Sequence, residues 1–348
     1  MGDAKDIATR LSPGENYMRL ARGEMPESVP IYTMGFPGLY GETAVKLIGP
    51  SLFDETHIAP APAGRRDIWG VNYIANEETN FACIPEPNNF ILDDITKWAD
   101  ILKTPELPDR IDWDKLARED MERAGLDRSQ SAAMAVIGLM PFQQLVAFMG
   151  FTNTLIAFSE EPECVEELLN HMADVYMPVV EATVRHYDPD IVYLLDDTAT
   201  NYNPFISPAM FRNILKPVYA RLTKPAVERG IPIQFHNCGR CEDFLDDMRD
   251  IGTRLWDPAQ PTNDQLAIKA KYGRDLAIVG CYQWTPHEGY TEDELRASVR
   301  SCIDALAPNG GFAFTGGVMT RYNDHTYDRA NEWIRDEAYN YCKGYYLR

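Results

Sequence analysis

The sequence predicts an α/β fold, a (β/α)8 TIM-type barrel formed as one domain over residues 1–348. An N-terminal insertion at 36–130 is expected to cover the barrel mouth. Two observations carry this prediction. First, short apolar runs recur along the chain without clean alternation, as in parallel strands buried on both faces. They are 29–35 (VPIYTMG), 133–140, 190–197 (DIVYLLDD), 232–238, 253–259, 276–282 and 311–317. Second, helical patterns with start and stop signals lie between them. Seven or eight such units in 348 residues fit a barrel better than most open sheets, with a doubly wound sheet as the runner-up.

The helices follow from spacing. Val165, Leu168, Leu169, Met172, Val175, Tyr176, Val179 and Val180 make an apolar stripe over 163–184. Ser207 and Pro208 read as an N-cap and first helical residue, followed by Phe211, Ile214, Leu215, Val218 and Leu222. Pro217 and Pro225 should segment that helix. Thr291 and Glu294 form a capping-box pair ahead of Leu295, Val299, Cys302 and Leu306. Gly230, Gly252, Gly273 and Gly310 stand where helices should stop. Residues 36–130 are rich in Pro and Asn and read as irregular, with a hairpin near DIWGVNYI.

Composition narrows the function. The net charge is −20, a surface that repels nucleic acid and anionic membranes. No run approaches the roughly 18 apolar residues of a membrane span. The first residues lack a signal-peptide core, and Asp6 breaks a myristoylation pattern. Seven scattered cysteines suggest reduced thiols in a cytoplasm.

In such barrels the C-terminal strand ends carry the chemistry. In order, these ends offer Asp196–Asp197, then His236 and Cys238 within QFHNCG, then Asp257, Cys281 and Thr315. His236 and Cys238 are two apart, so on a strand both face one side. An imidazole and a thiolate suit zinc, which needs three protein ligands in a catalytic site. Cys281 is the preferred third ligand. The plain alternative is a buried histidine beside an inert thiol. Cys241 shares its spacing with Phe244, Leu245 and Met248 and reads as core. Asp196 and Asp197 are the candidate general base or substrate-orienting groups, against capping or ion pairing. Met34, Phe36, Phe142, Tyr282 and Trp284 could wall an apolar pocket, with His325 as a further substrate contact. Packing and, for His325, solvent exposure are the alternatives.

The runs DPDIVYLLDDTAT, ISPAMFRNILKPVYARL and GIPIQFHNCG, with GENYMRLARGEMPESVPIYTMG and DIWGVNY, resemble the uroporphyrinogen decarboxylase superfamily. The likeness spans nearly the whole chain and is densest over 188–239. It implies a (β/α)8 barrel. True uroporphyrinogen decarboxylases carry an arginine-rich substrate clamp where this chain reads MGFPGLYGETA, with no arginine. The other branch comprises zinc methyltransferases that serve corrinoid proteins, with an H-x-C motif and a third Cys near the last strand. His236 and Cys238 match the motif, whereas the last strand offers Thr315.

The resemblance therefore implies a methyltransferase. It would move methyl from a small compound, such as an aryl methyl ether, to a corrinoid carried by a separate partner protein, with zinc as Lewis acid. Self-association into a homodimer is a further expectation. The alternatives are a decarboxylase of another acid and a non-catalytic binding member.

Overall fold

The computed structural model describes residues 9–34, 43–53 and 65–348. Seven parallel strands form one curled sheet: β1 (Val45–Ile48), β2 (Ala132–Val136), β3 (Ile191–Leu195), β4 (Ile233–His236), β5 (Thr253–Asp257), β6 (Ala277–Val279) and β7 (Phe312–Ala313). They neighbour one another in chain order. Beyond β7 the sheet continues to Ile31, which bridges Phe314 in parallel. The 29–35 run thus takes the eighth place, through a single bridge rather than a strand. This is the TIM-type arrangement expected from the sequence.

Side chains alternate across the wall as a strand period of two requires. Ala132, Met134, Ile191, Tyr193, Leu255, Ala277, Val279 and Ala313 share an inner cluster, while Val192, Leu194, Phe235, Trp256 and Ile278 pack outward. The inward alanines leave room for large rings. Helix α1 (Pro13–Ala21) uses that room: Tyr17, Leu20 and Ala21 join the inner cluster, and the Tyr17 hydroxyl donates to Gln234 Oε1 at 2.7 Å. Ser12 caps α1 by accepting from Glu15 N, and Pro13 occupies its first turn. A Cβ on Gly14 would lie 2.7 Å from Ala132 N, so only glycine lets α1 seat so close to β2.

The 36–130 stretch divides. Val45–Ile48 pairs with Ala132–Val136 in the barrel wall, and helix Trp113–Arg123 buries Ala117 in one cluster with Ile48, Ala133, Ala135 and Tyr187. Those parts are barrel, not insertion. The hairpin is present: Arg65–Arg66 pairs antiparallel with Asn72–Ile74, which also pairs with Ile84–Pro85. This small sheet places Trp69, Val71 and Tyr73 in the main core. Its tip reaches across to the loop beyond β7, where Asn80 Oδ1 accepts from Tyr322 N and Phe81 packs on the Tyr322 ring.

The capped helices also appear. Ser207 Oγ accepts from Met210 N, and Thr291 Oγ1 accepts from Glu294 N. The proline-bearing helix is segmented, with a π-helical turn at Phe211–Leu215 just before Pro217. No helix among the described residues is long and apolar enough to cross a membrane.

Candidate metal centre

Strand β4 ends at His236, and Leu195 of β3 and Asp257 of β5 lie beside it in register. Three strand ends thus meet at one point. Beyond β4 the chain turns through Asn237, Cys238 and Gly239, and backbone and amide groups fix the turn. Asn237 Oδ1 accepts from Thr198 N at 3.0 Å, and its Nδ2 donates to Thr198 Oγ1. Asn263 Oδ1 accepts from Cys241 N and Glu242 N. Gly239 has φ +92°, and a Cβ there would lie 2.5 Å from Thr200 O. The glycine of QFHNCG is therefore required both by conformation and by space.

This turn brings Cys238 Sγ to 3.3 Å from His236 Nε2. Asp197 Oδ1 accepts from Cys238 N at 2.8 Å and lies 3.9 Å from His236 Nε2. Ligand atoms of Asp197, His236 and Cys238 all fall within 4.8 Å of one another, the one such metal-competent group among the described residues. On its other side, His236 Nδ1 lies 3.1 Å from the Tyr193 hydroxyl and 3.4 Å from Asp257 Oδ1. Tyr193 donates to Asp257 Oδ2 at 2.9 Å.

Burial sets the protonation of these groups. It depresses the His236 pKa, but the charge of Asp257 and its bond to the ring, with the Cys238 contact, more than offset this and leave it well above the usual value. Burial raises the Cys238 thiol; His236 pulls it back and Asp197 pushes it further up. Burial, then the Asp257 charge, raises Tyr193 far above its ordinary range. The donor set of one imidazole, one thiol and one carboxylate fits zinc by its chemistry, and the second ring nitrogen is held, as metal-ligating histidines require.

Other sequence expectations need correction. Asp196 does not face the mouth. It is fully buried and accepts from Phe142 N at 2.6 Å, Gln143 N at 2.9 Å and the Tyr219 hydroxyl at 2.7 Å. It caps helix Pro141–Met149, because adjacent strand residues point to opposite faces. Burial pushes its pKa up to about 7, against three hydrogen bonds that favour the carboxylate. Cys281 lies outside the 4.8 Å group, although its thiol, raised to about 11 chiefly by burial, is also raised by the Cys238 charge.

The aromatic candidates pack rather than face the metal group. Phe142 is fully buried and stacks on Phe205. Tyr282 bonds Ser298 through its hydroxyl and stacks on Phe314. Trp284 packs edge-on with Tyr290. His325 is exposed and bonds Asp328 at the start of the last helix. Met34 is 40% exposed beyond the Ile31 bridge, and Phe36 lies outside the described residues. Cys241 is core as expected, its Sγ directed at Cys238 O and Asn237 Oδ1. Asp257 is among the strand-end residues that the sequence offers, and Tyr193 is not. Counting back in twos from Asp197 would have put Tyr193 on the inner face.

A cavity of about 460 Å³ runs between the β1–β3 side of the wall and helices Trp113–Arg123 and Pro162–Ala182, lined by Leu47, Ala135, Val192, Leu195, Arg123 and Val179 among others. The three donors are not on its wall. Leu195, the register partner of His236, is.

Known proteins agree with this fold. No curated protein sequence matches the chain. A methyltransferase from Methanosarcina mazei is similar in structure, with a TM-score of 0.58 at 14% identity, covering 95% of this chain and 100% of that one. The profile of the family described as Uroporphyrinogen decarboxylase (URO-D) matches residues 101–320. That span holds six of the seven parallel strands and every residue of the metal group, and by it the chain belongs to the uroporphyrinogen decarboxylase family.

Proposed function

We propose that the chain is a methyltransferase that demethylates a small, largely apolar methyl compound, such as an aryl methyl ether, and passes the methyl group to a corrinoid held by a separate protein. The observation that carries this reading is the Asp197, His236 and Cys238 group at the strand ends, a soft-and-hard donor set suited to an open catalytic zinc. A zinc ion bound there would supply Lewis acidity toward the departing heteroatom. The methyl group would leave that atom for the cobalt, and the bond to the heteroatom would break with its electron pair staying behind.

The chain's own residues have definite tasks in this reaction. Asp197, at the group's more open edge with its side chain 42% exposed, would complete the donor set and face the departing oxygen. The largely apolar cavity that reaches Leu195, the register partner of His236, has room for a donor of aromatic size. The small antiparallel sheet, tied to the loop beyond β7 through Asn80 and Tyr322, is suited to partial closure of the mouth, which would be the docking face for the partner. The methyltransferase from Methanosarcina mazei shares this fold, which is consistent with the proposal.

Metal analysis of the purified protein tests it first. About one zinc per chain is expected, with loss of that zinc in His236→Ala. The second arm is spectral: an aryl methyl ether with cob(I)alamin as surrogate acceptor should give methylcobalamin with the zinc-loaded protein and none with His236→Ala. Absence of zinc after supply under reducing conditions overturns the metal reading. It would turn attention to decarboxylation of another acid or to ligand binding alone.

A further inference from the structure

We propose that Asp257, acting directly and through Tyr193, is a positioning residue that fixes His236 in its Nδ1–H tautomer and so keeps Nε2 as the free donor toward Cys238 and Asp197. The argument is one of hydrogen-bond polarity. A carboxylate at Asp257 only accepts. Tyr193 lies 2.9 Å from Asp257 Oδ2 and 3.3 Å from Oδ1, so its single proton points to Asp257. The Tyr193 oxygen is then left as an acceptor toward His236 Nδ1, 3.1 Å away. Asp257 Oδ1, 3.4 Å from the same nitrogen, is a second acceptor. Both groups facing Nδ1 demand a proton there, so a neutral ring carries its lone pair on Nε2.

The fold makes this arrangement rigid. Tyr193, His236 and Asp257 stand on three adjacent strands, β3, β4 and β5, with His236 and Asp257 in direct register. Asp257 is 1% exposed and Tyr193 1%, so water does not compete for either. The Tyr193 ring meets His236 edge-on, with centroids 6.1 Å apart. Carboxylate partners of this kind orient metal-ligating histidines and raise their basicity. The consequence for zinc rests on the reading of the site given above; the consequence for the tautomer does not.

Two readouts test the proposal. The first uses metal-free protein labelled with 15N-histidine, at a pH where the ring is neutral. Long-range proton–nitrogen correlations, assigned by loss of a signal in His236→Ala, should show the Nδ1–H tautomer. In Tyr193→Phe combined with Asp257→Leu, which removes both acceptors facing Nδ1 and keeps the packing volume, the population should move toward Nε2–H. The second is zinc affinity by competition with a chromophoric chelator, which should fall roughly ten- to a hundredfold in Tyr193→Phe and Asp257→Asn. A wild-type ring in the Nε2–H form, or a tautomer unmoved by the removal of both acceptors in a folded protein, overturns the inference. Wild-type protein that shows the Nδ1–H form but binds no zinc overturns the metal reading and leaves this one standing.

Discussion

The two halves of the barrel wall use their strand ends differently. Over β3 to β5, three successive ends converge on one point, and each polar side chain there meets another: Tyr193 with Asp257, both with His236, and Asp197 with Cys238. Over β6 and β7 the wall is small and apolar, and the aromatic and histidine candidates beyond it have partners of their own. Tyr282 bonds Ser298, Trp284 packs on Tyr290, and His325 bonds Asp328. Beyond these strands Tyr282–Gln283 pairs with Gly316–Gly317, and the backbones there approach so closely that a Cβ on Gly316 would overlap Tyr282 O. A strand end therefore contributes chemistry only where register and the following turn aim it inward.

The contrast is broken most directly by exchanging the fate of two thiols. Cys238→Ala should weaken zinc binding by more than the roughly hundredfold upper range of an orienting residue. Cys281→Ala should leave it within about twofold, since Cys281 stands outside the donor group. Comparable losses in the two variants, measured by chelator competition, would show that the β6 half contributes a ligand.

The pH dependence of zinc uptake sharpens the same contrast. In the metal-free site the pKa values of His236 and Cys238 are both raised, so near neutral pH each holds a proton that the metal must displace. Affinity should therefore rise with pH, by up to about a hundredfold per unit while both protons are being expelled. It should flatten once His236 is neutral and Cys238 is thiolate. A titration series from pH 6 to pH 9, in buffers that do not bind zinc, measures this slope. A slope of zero removes both groups from the ligand set.

Asp196 and Asp197 offer the next test. Asp196→Asn should cost about 1–3 kcal/mol in thermal or denaturant unfolding, because one amide oxygen cannot replace a carboxylate bonded to two backbone N–H groups and a hydroxyl. Its zinc affinity should hold. Asp197→Asn should do the reverse, leaving stability within about 0.5 kcal/mol and weakening zinc. No such effect is expected at the two ends of the β6–β7 half. His287→Ala and His325→Ala, each removing an exposed histidine–carboxylate pair, should leave the denaturation midpoint and zinc binding unchanged, because solvent screens such pairs.

The sequence made six strands of the sheet legible, since each is a short apolar run followed by polar or glycine-rich chain. It hid the seventh. Val45–Ile48 is only four residues long, carries Lys46 in its middle and lies in a region dense with Pro and Gly. Its identity comes from pairing with Ala132–Val136, which is a tertiary fact. The same limit governs the site. His236 and Cys238 could be read from their spacing, because two residues apart means one face. Phe142 and Tyr282 could not be placed, because a residue just past a strand has no fixed face until its turn is known. Asp196 and Asp197 were told apart only by the helix that claims one of them. Asp257 required three strands in register before it had any role.

Contacts of very long sequence separation tie the barrel together. Tyr17 bonds Gln234 across 217 positions, and Gly344 N donates to Ser28 Oγ across 316. Contacts this distant in sequence are formed late and slowly, since loop-closure entropy is spent before they return anything. Helix α1 precedes the strands that it packs on, so it must wait for strands as distant as Ile233–His236 before it has a place to dock. Until then the inner alanines and tyrosines have no lid beneath them. A nascent barrel of this kind is exposed at its base, and chaperone contact should concentrate there rather than at the mouth where the ligands gather.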